Sequence, residues 1–274
     1  GVWGVEFLLF TVTCHLSPVT CHLSPVTCHL SPVTYSLFPI PYSLFPIPLF
    51  MKFGVLVFPG SNCDRDVAYV TRDLLGQPTR MVWHQETDIS DIDVIIVPGG
   101  FSYGDYLRCG AIARFSPVMQ QVIEHSQKGK FVIGICNGFQ VLTEAGLLPG
   151  ALARNENLHF ICDRSPLKVE RNNLPWTHGY AEGEIITLPI AHGEGRFYAD
   201  EKTLAEIEDN GQVLFRYHGE NPNGSLNNIA GICNREGNVL GMMPHPERAA
   251  DQALGNSDGL RLFAGLLGKV AALV

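Results

Sequence analysis

The sequence predicts an α/β domain built on a mainly parallel, twisted sheet flanked by helices, and three observations predict it. Short apolar runs alternate with helical patterns from Met51 onward. One run, Lys130-Phe131-Val132-Ile133, ends in Gly134-Ile135-Cys136-Asn137-Gly138 and passes straight into a helical pattern. A strand that turns into a helix at G-x-C-x-G is the cysteine counterpart of a nucleophile elbow. Residues 1–50, by contrast, share none of this patterning.

In chain order, 53–58 is a buried first strand, and Pro59-Gly60-Ser61-Asn62 turns into a helix over 64–75. That helix carries Val67, Val70, Leu74 and Leu75 on one face. Val82-Trp83 lies in a second strand and 94–97 is a third, ending in Pro98-Gly99-Gly100. The pattern over 111–127 reads as one helix with Pro117 inside it. The nucleophile strand follows, then a helix over 139–145 stopped by Gly146. Beyond Gly150 the chain is richer in turns, with strands at 185–188, 213–217, 229–233 and 239–243. A last helix spans 258–270. Ligands of such sheets bind at the carboxyl ends of the strands, where Cys136 and Gly99-Gly100 both fall.

The two glycines of the elbow permit a tight turn, and Cys136 stands at its apex. The helix N-terminus behind it favours a thiolate. A free thiol is mostly protonated at neutral pH, so the nucleophile needs a base. Pro244-His245-Pro246-Glu247 offers one. His245 can take the thiol proton, and Glu247, two residues on along an extended segment, can orient the other ring nitrogen. A cysteine in an apolar run is by default core, and a His-Pro is by default a loop. The elbow and the His-x-Glu pair together favour nucleophilic acyl transfer. Such chemistry needs donors for an oxyanion. Gly99-Gly100 ends a neighbouring strand with nothing to block a substrate, and the Asn137 amide is the natural second donor.

Residues 1–50 form a separate segment. Cys14-His15-Leu16-Ser17-Pro18-Val19-Thr20 repeats without error at 21–27 and 28–34, and Tyr35-Ser36-Leu37-Phe38-Pro39-Ile40-Pro41 repeats at 42–48. A proline in each repeat excludes a heptad helix. The period has a nucleic-acid origin instead. Three copies of TGTCACC translate as the first unit, and three of TATTCCC as the second. The expectation is a repeat-derived tail, disordered or the product of a misplaced start, with the native terminus at Met51 or Lys52. The tail holds no Lys or Arg, unlike a secretory signal, and too many prolines for a membrane helix. Its Cys-His pairs lack close ligand spacing.

The domain at 51–274 is large enough for one substantial core. Glu6 is the tail's one charged residue, so the domain keeps 19 basic and 26 acidic side chains, a net charge of −7. That balance argues against a nucleic-acid surface. Cys63, Cys109, Cys136, Cys162 and Cys233 are odd in number and without framework spacing. With no export signal, they read as free thiols in a reducing cytoplasm, four of them structural.

Gly134-Ile135-Cys136-Asn137-Gly138-Phe139-Gln140 with a downstream His-Pro-Glu resembles the triad-type, class I glutamine amidotransferases. Four further stretches resemble one branch, the glutaminase subunits of phosphoribosylformylglycinamidine synthase. They are 58–64, 98–108, Ala191-His192-Gly193-Glu194-Gly195-Arg196-Phe197 and 241–248. The resemblance covers essentially all of 51–274 and none of 1–50. It implies a single-domain class I glutamine amidotransferase fold in which Cys136 attacks the glutamine amide, His245 is base then acid, and Glu247 orients His245. It gives the oxyanion hole to the Gly100 and Asn137 amides, beside Gly99, and makes Gln140 a holder of glutamine. It implies a large synthetase subunit that uses ATP and Mg²⁺, commonly with a small bridging subunit, and no cofactor, metal, nucleic acid or membrane for this chain. No phosphate-binding loop is present, which fits that division of labour.

His192-x-Glu194 is a second His-x-Glu pair, and composition leaves open which histidine serves Cys136; the resemblance selects His245. His192 and Arg196 belong either to the glutamine pocket or partner interface, or to a structural loop. Two other readings stand beside the favoured one. An amidotransferase for another acceptor is opposed by the Phe-Ser-Tyr-Gly-Asp and His-Gly-Glu-Gly-Arg stretches. A non-catalytic regulatory subunit is opposed by the intact Cys136, His245 and Glu247.

Overall fold

Four strands are almost wholly apolar and buried: β1 (Phe53–Val57), β3 (Val94–Val97), β4 (Phe131–Ile135) and β11 (Val239–Met242). Such continuous runs suit parallel strands covered on both faces. In the computed structural model, which describes residues 50–270, they pair with β2 (Thr79–Trp83) in the parallel order β2-β1-β3-β4-β11. The sheet then continues antiparallel through β10 (Ile229–Cys233), β9 (Val213–Tyr217), β6 (Ile161–Val169) and β7 (Ile185–His192). A separate pair joins β5 (Ala151–Ala153) to β8 (Arg196–Tyr198). The expectations for the repeats at 14–48 lie outside the described residues.

Five helices accompany the strands among the described residues: α1 (Asp64–Ala68), α2 (Pro117–Gln127), α3 (Asn137–Glu144), α4 (Glu201–Asp209) and α5 (Leu260–Val270). A π-helical stretch, Tyr69–Leu74, prolongs α1. Sequence reading differs from the structure at α2. Pro117 does not sit inside a long helix; it opens α2 at its first position, after a separate 3-10 turn at Ala113–Phe115. The missing amide is harmless there and the ring presets φ.

The core packs Phe53, Ile95, Ile96, Ile133, Phe139 and Phe215 with no exposed surface. Each such side chain contributes roughly 1.5–3 kcal/mol by leaving water. Trp176 is equally buried and satisfies its one polar atom by donating Nε1–H to the Gly237 carbonyl at 2.9 Å. Because β1, β3, β4 and β11 run parallel, their carboxyl ends meet at one edge. Asn62-Cys63, Gly99-Gly100, Cys136 and Pro244-His245 all follow those ends and are brought together by topology.

Candidate active site

Cys136 adopts φ 51° and ψ −108°, a region that L-residues rarely occupy and that costs about 1–3 kcal/mol. The surroundings hold it there. Its amide donates to the Met242 carbonyl on β11 at 2.7 Å, and its carbonyl accepts from Phe139 and Gln140 at 3.0 and 3.2 Å. Gly138 brings α3 against β3 so closely that a Cβ would overlap the Val97 carbonyl. The sulfur lies 3.6 Å from the Ala191 carbonyl at the end of β7.

His245 follows β11 and is fixed by its amide, which donates to the Pro189 carbonyl at 2.8 Å. Its Nδ1 lies 2.7 Å from Glu247 Oε1, with both side chains almost fully buried. A carboxylate accepts, so this contact puts the proton on Nδ1 and leaves Nε2 available to take one. Nε2 has no hydrogen-bond partner, and neither has Glu247 Oε2. Glu247 does not reach His245 along an extended segment, as the sequence suggested. The two are joined across a 3-10 turn, Pro246–Ala249, that Pro246 opens. Burial alone would lower the proton affinity of His245; Glu247, Cys136 and Cys63 outweigh it and raise it well above the ordinary value of 6.5. The site therefore favours a protonated His245 imidazole beside the Cys136 sulfur.

These groups open on a cavity of about 180 Å³ whose walls include Gly100, Phe101, Phe160, Ala191, His245 and Arg248. Gly99 packs against His245, where a Cβ would come 2.8 Å from its Cε1. A larger groove of about 310 Å³ lies between Leu147 and the Glu206 face of α4, but it holds no nucleophile and lies away from Cys136.

Asn137 and Gln140, at the start of α3, tie neighbouring loops to the elbow and do not themselves line this cavity. Asn137 Oδ1 accepts from the Ser102 amide at 3.1 Å, while its Nδ2 donates to Gln140 Oε1 at 2.9 Å and Asp105 Oδ1 at 3.3 Å. Gln140 Nε2 donates to the Glu194 carbonyl at 2.6 Å. Burial pushes the Asp105 carboxyl above its ordinary range.

His192 is not a second base for Cys136. Both its nitrogens are committed, Nδ1 to Asn155 Oδ1 at 3.1 Å and Nε2 to Asn223 Nδ2 at 3.5 Å. Burial, with nearby His245, pushes it down to about 4, so it is neutral at ordinary pH. Asn155 Oδ1 also takes the Gly195 amide at 3.0 Å, so this network shapes the loop that presents Ala191 and Glu194. Arg196 donates to the Gly224 carbonyl at 3.1 Å and is absent from the cavity wall.

Sequence reasoning counted Cys63 among structural thiols and passed over Arg248, yet both line the cavity. The signal was positional: each follows the carboxyl end of a parallel strand.

Residues 51–258 match the profile of the CobB/CobQ-like glutamine amidotransferase domain. A phosphoribosylformylglycinamidine synthase subunit PurQ from Nostoc sp. is 84% identical over 223 residues, covering 81% of this chain and 100% of the relative. The chain belongs to the PurQ family of glutamine amidotransferases. The corresponding PurQ of Gloeobacter violaceus is 68% identical, over 82% of this chain and all of its own. Among solved structures, PurLQS from Thermotoga maritima superposes with a TM-score of 0.75 at 41% identity, over 81% of this chain and all of that one. The fold and the elbow described above are those of a glutamine amidotransferase.

Proposed function

We propose that this chain is the glutaminase subunit of a phosphoribosylformylglycinamidine synthase in purine biosynthesis. The observation that carries the reading is Cys136 on a strained elbow with His245 backed by Glu247 at 2.7 Å, in a PurQ chain 84% identical to a relative of that name. His245 Nε2 takes the thiol proton, and the Cys136 sulfur adds to the side-chain carbonyl carbon of L-glutamine. The carbonyl electron pair moves to oxygen, where the Gly100 and Asn137 amides receive it. His245 returns its proton to the nitrogen, the C–N bond breaks and ammonia leaves. Water then gives a proton to His245 and adds to the thioester. The C–S bond breaks, freeing glutamate and restoring the thiol.

The ammonia passes to a large synthetase subunit, which uses ATP and Mg²⁺ to convert formylglycinamide ribonucleotide to formylglycinamidine ribonucleotide. A small bridging subunit completes the assembly, and this chain needs no cofactor of its own. A cytoplasmic setting is supported by five free cysteines among the described residues. No described helix is long and apolar enough to cross a membrane. The test mixes the chain with a synthetase subunit and follows glutamine- and ATP-dependent product. Product that is lost in Cys136→Ala and restored by ammonium supports the reading. Glutamate without that product would assign the glutaminase to another acceptor.

A further inference from the structure

His245 has two sulfurs beside it, and the mechanism above uses one. Cys63 ends the turn after β1, with its amide donating to the Gly99 carbonyl at 3.3 Å. Its sulfur accepts from Arg248 Nη2 at 2.9 Å. A guanidinium carries donors only, so Cys63 meets it with sulfur lone pairs. Cys63 Sγ, a ring nitrogen of His245 and a carboxylate oxygen of Glu247 lie within 4.8 Å of one another. The two cysteines approach the imidazole across the space left by Gly99. A Cβ on that glycine would stand 2.8 Å from His245 Cε1, 3.2 Å from Cys63 Sγ and 3.4 Å from Cys136 Cβ. All three side chains are buried, and His245 Nε2 is without a hydrogen-bond partner.

We infer that Cys63 is a positioning residue for the catalytic base: its sulfur, gripped by Arg248 and packed beside the imidazole, is a second electron-rich neighbour that supports His245 while it carries the proton taken from Cys136. The inference rests on the glutaminase reading and adds to it a residue that touches no substrate. The charged and titratable groups around His245 can be named from each packed element. Glu247 and Arg248 lie on its own turn, Cys63 and Asp66 come from the start of α1 and the turn before it, Cys136 from the elbow, and His192 from β7. Burial opposes the imidazolium, and neutral His192 adds no competing charge at ordinary pH. Glu247, Cys136 and Cys63 favour it. Loss of Cys63 removes one of three favourable neighbours and leaves the other two.

The direction follows. A group whose proton affinity is held up by a neighbour loses its proton at lower pH when that neighbour goes. The basic limb of the glutaminase profile, where the imidazolium gives up its proton, must therefore move down. A neighbour at this separation moves such a limb by about one pH unit. The experiment measures kcat/KM for glutamine between pH 6 and 10 in the complex with the synthetase subunit. It compares the unsubstituted chain with Cys63→Ser, Cys63→Ala and Cys63→Asp. Ammonium-supported turnover of the same preparations removes the pH dependence of the synthetase. Ser and Ala are expected to move the limb down by about one unit. Asp keeps an acceptor for Arg248, places a carboxylate beside His245, and is expected to restore the limb. Cys63→Ser replaces one atom, so its melting curve distinguishes a shifted base from a misfolded chain. An unmoved limb in a folded Ser variant, with rates intact or uniformly lowered, would overturn the inference alone. An unsubstituted complex that consumes no glutamine would overturn the glutaminase reading and the inference with it.

Discussion

At Cys136 the backbone strain and the chemistry have one source. A φ of 51° turns the side chain out of the strand line and presents it at the N-terminus of α3, ahead of the Asn137 and Gly138 amides. The thiol alone is not the catalyst, because His245 and Glu247 must move its proton. Cys136→Ala is expected to lower glutamine-dependent synthesis at least about a thousandfold while ammonium-dependent synthesis persists; parallel assays with the two nitrogen donors check it. Glu247→Gln tests the orienting contact. A glutamine amide can donate as well as accept, so the ring is free to take the wrong tautomer. Turnover of glutamine should fall roughly a hundredfold or more, again with ammonium use intact. The residues behind these predictions were legible because each sits in a short local pattern, G-x-C-x-G or His-x-Glu. Cys63 was not, since its partner Arg248 lies 185 residues away. His192 stood open for a similar reason. The two asparagines that commit its ring lie 37 and 31 residues distant, and no local pattern reports them.

Among the elements, the elbow is the most constrained. α3 packs on β3 through Gly138, and a methyl group there would meet the Val97 carbonyl. Backbone cannot yield as a flexible side chain can. Gly138→Ala is therefore expected to destabilise the fold by about 3 kcal/mol or more, read as a lowered melting temperature before any assay of activity. A second element carries an acid sensitivity. Burial pushes His125 of α2 from 6.5 down to about 4, so it is neutral when folded and charged when unfolded at intermediate pH. The unfolded chain then binds more protons, and stability falls as pH drops from about 6.5 towards 4. The loss from this residue is on the order of 2 kcal/mol. His125→Leu should flatten that decline in melting curves taken between pH 7 and 4.5, and an unchanged slope would refute the assignment. In the parallel half β1, β3, β4 and β11 were readable as apolar runs, whereas β2 showed only its Val82-Trp83 end. β6 was not, because it alternates exposed and buried residues and holds Pro166. α4 was missed although Asp200 caps it by accepting from the Thr203 amide at 3.0 Å, because it buries only Ile207.

On the scale of the whole molecule, the site needs both halves of the sheet. The parallel half supplies Cys136 and His245 from strand ends, and its α/β class could be read from alternating apolar and helical patterns. The antiparallel half supplies Ala191 beside the sulfur and Pro189 beneath the His245 amide, through pairings that local sequence does not encode. This unit already closes at Met51. That residue is buried, and its amide donates to Gln77 Oε1 at 3.0 Å, while Phe53 begins the first buried strand. The family match starts at the same residue, 51. A chain cut to 51–274 is therefore expected to melt at the temperature of the 274-residue chain and to support glutamine-dependent synthesis at an equal rate. Side-by-side calorimetry and coupled assays make the comparison. A drop of several degrees, or loss of synthesis that ammonium restores, would show that 1–50 contributes to the fold or to the hand-over of ammonia.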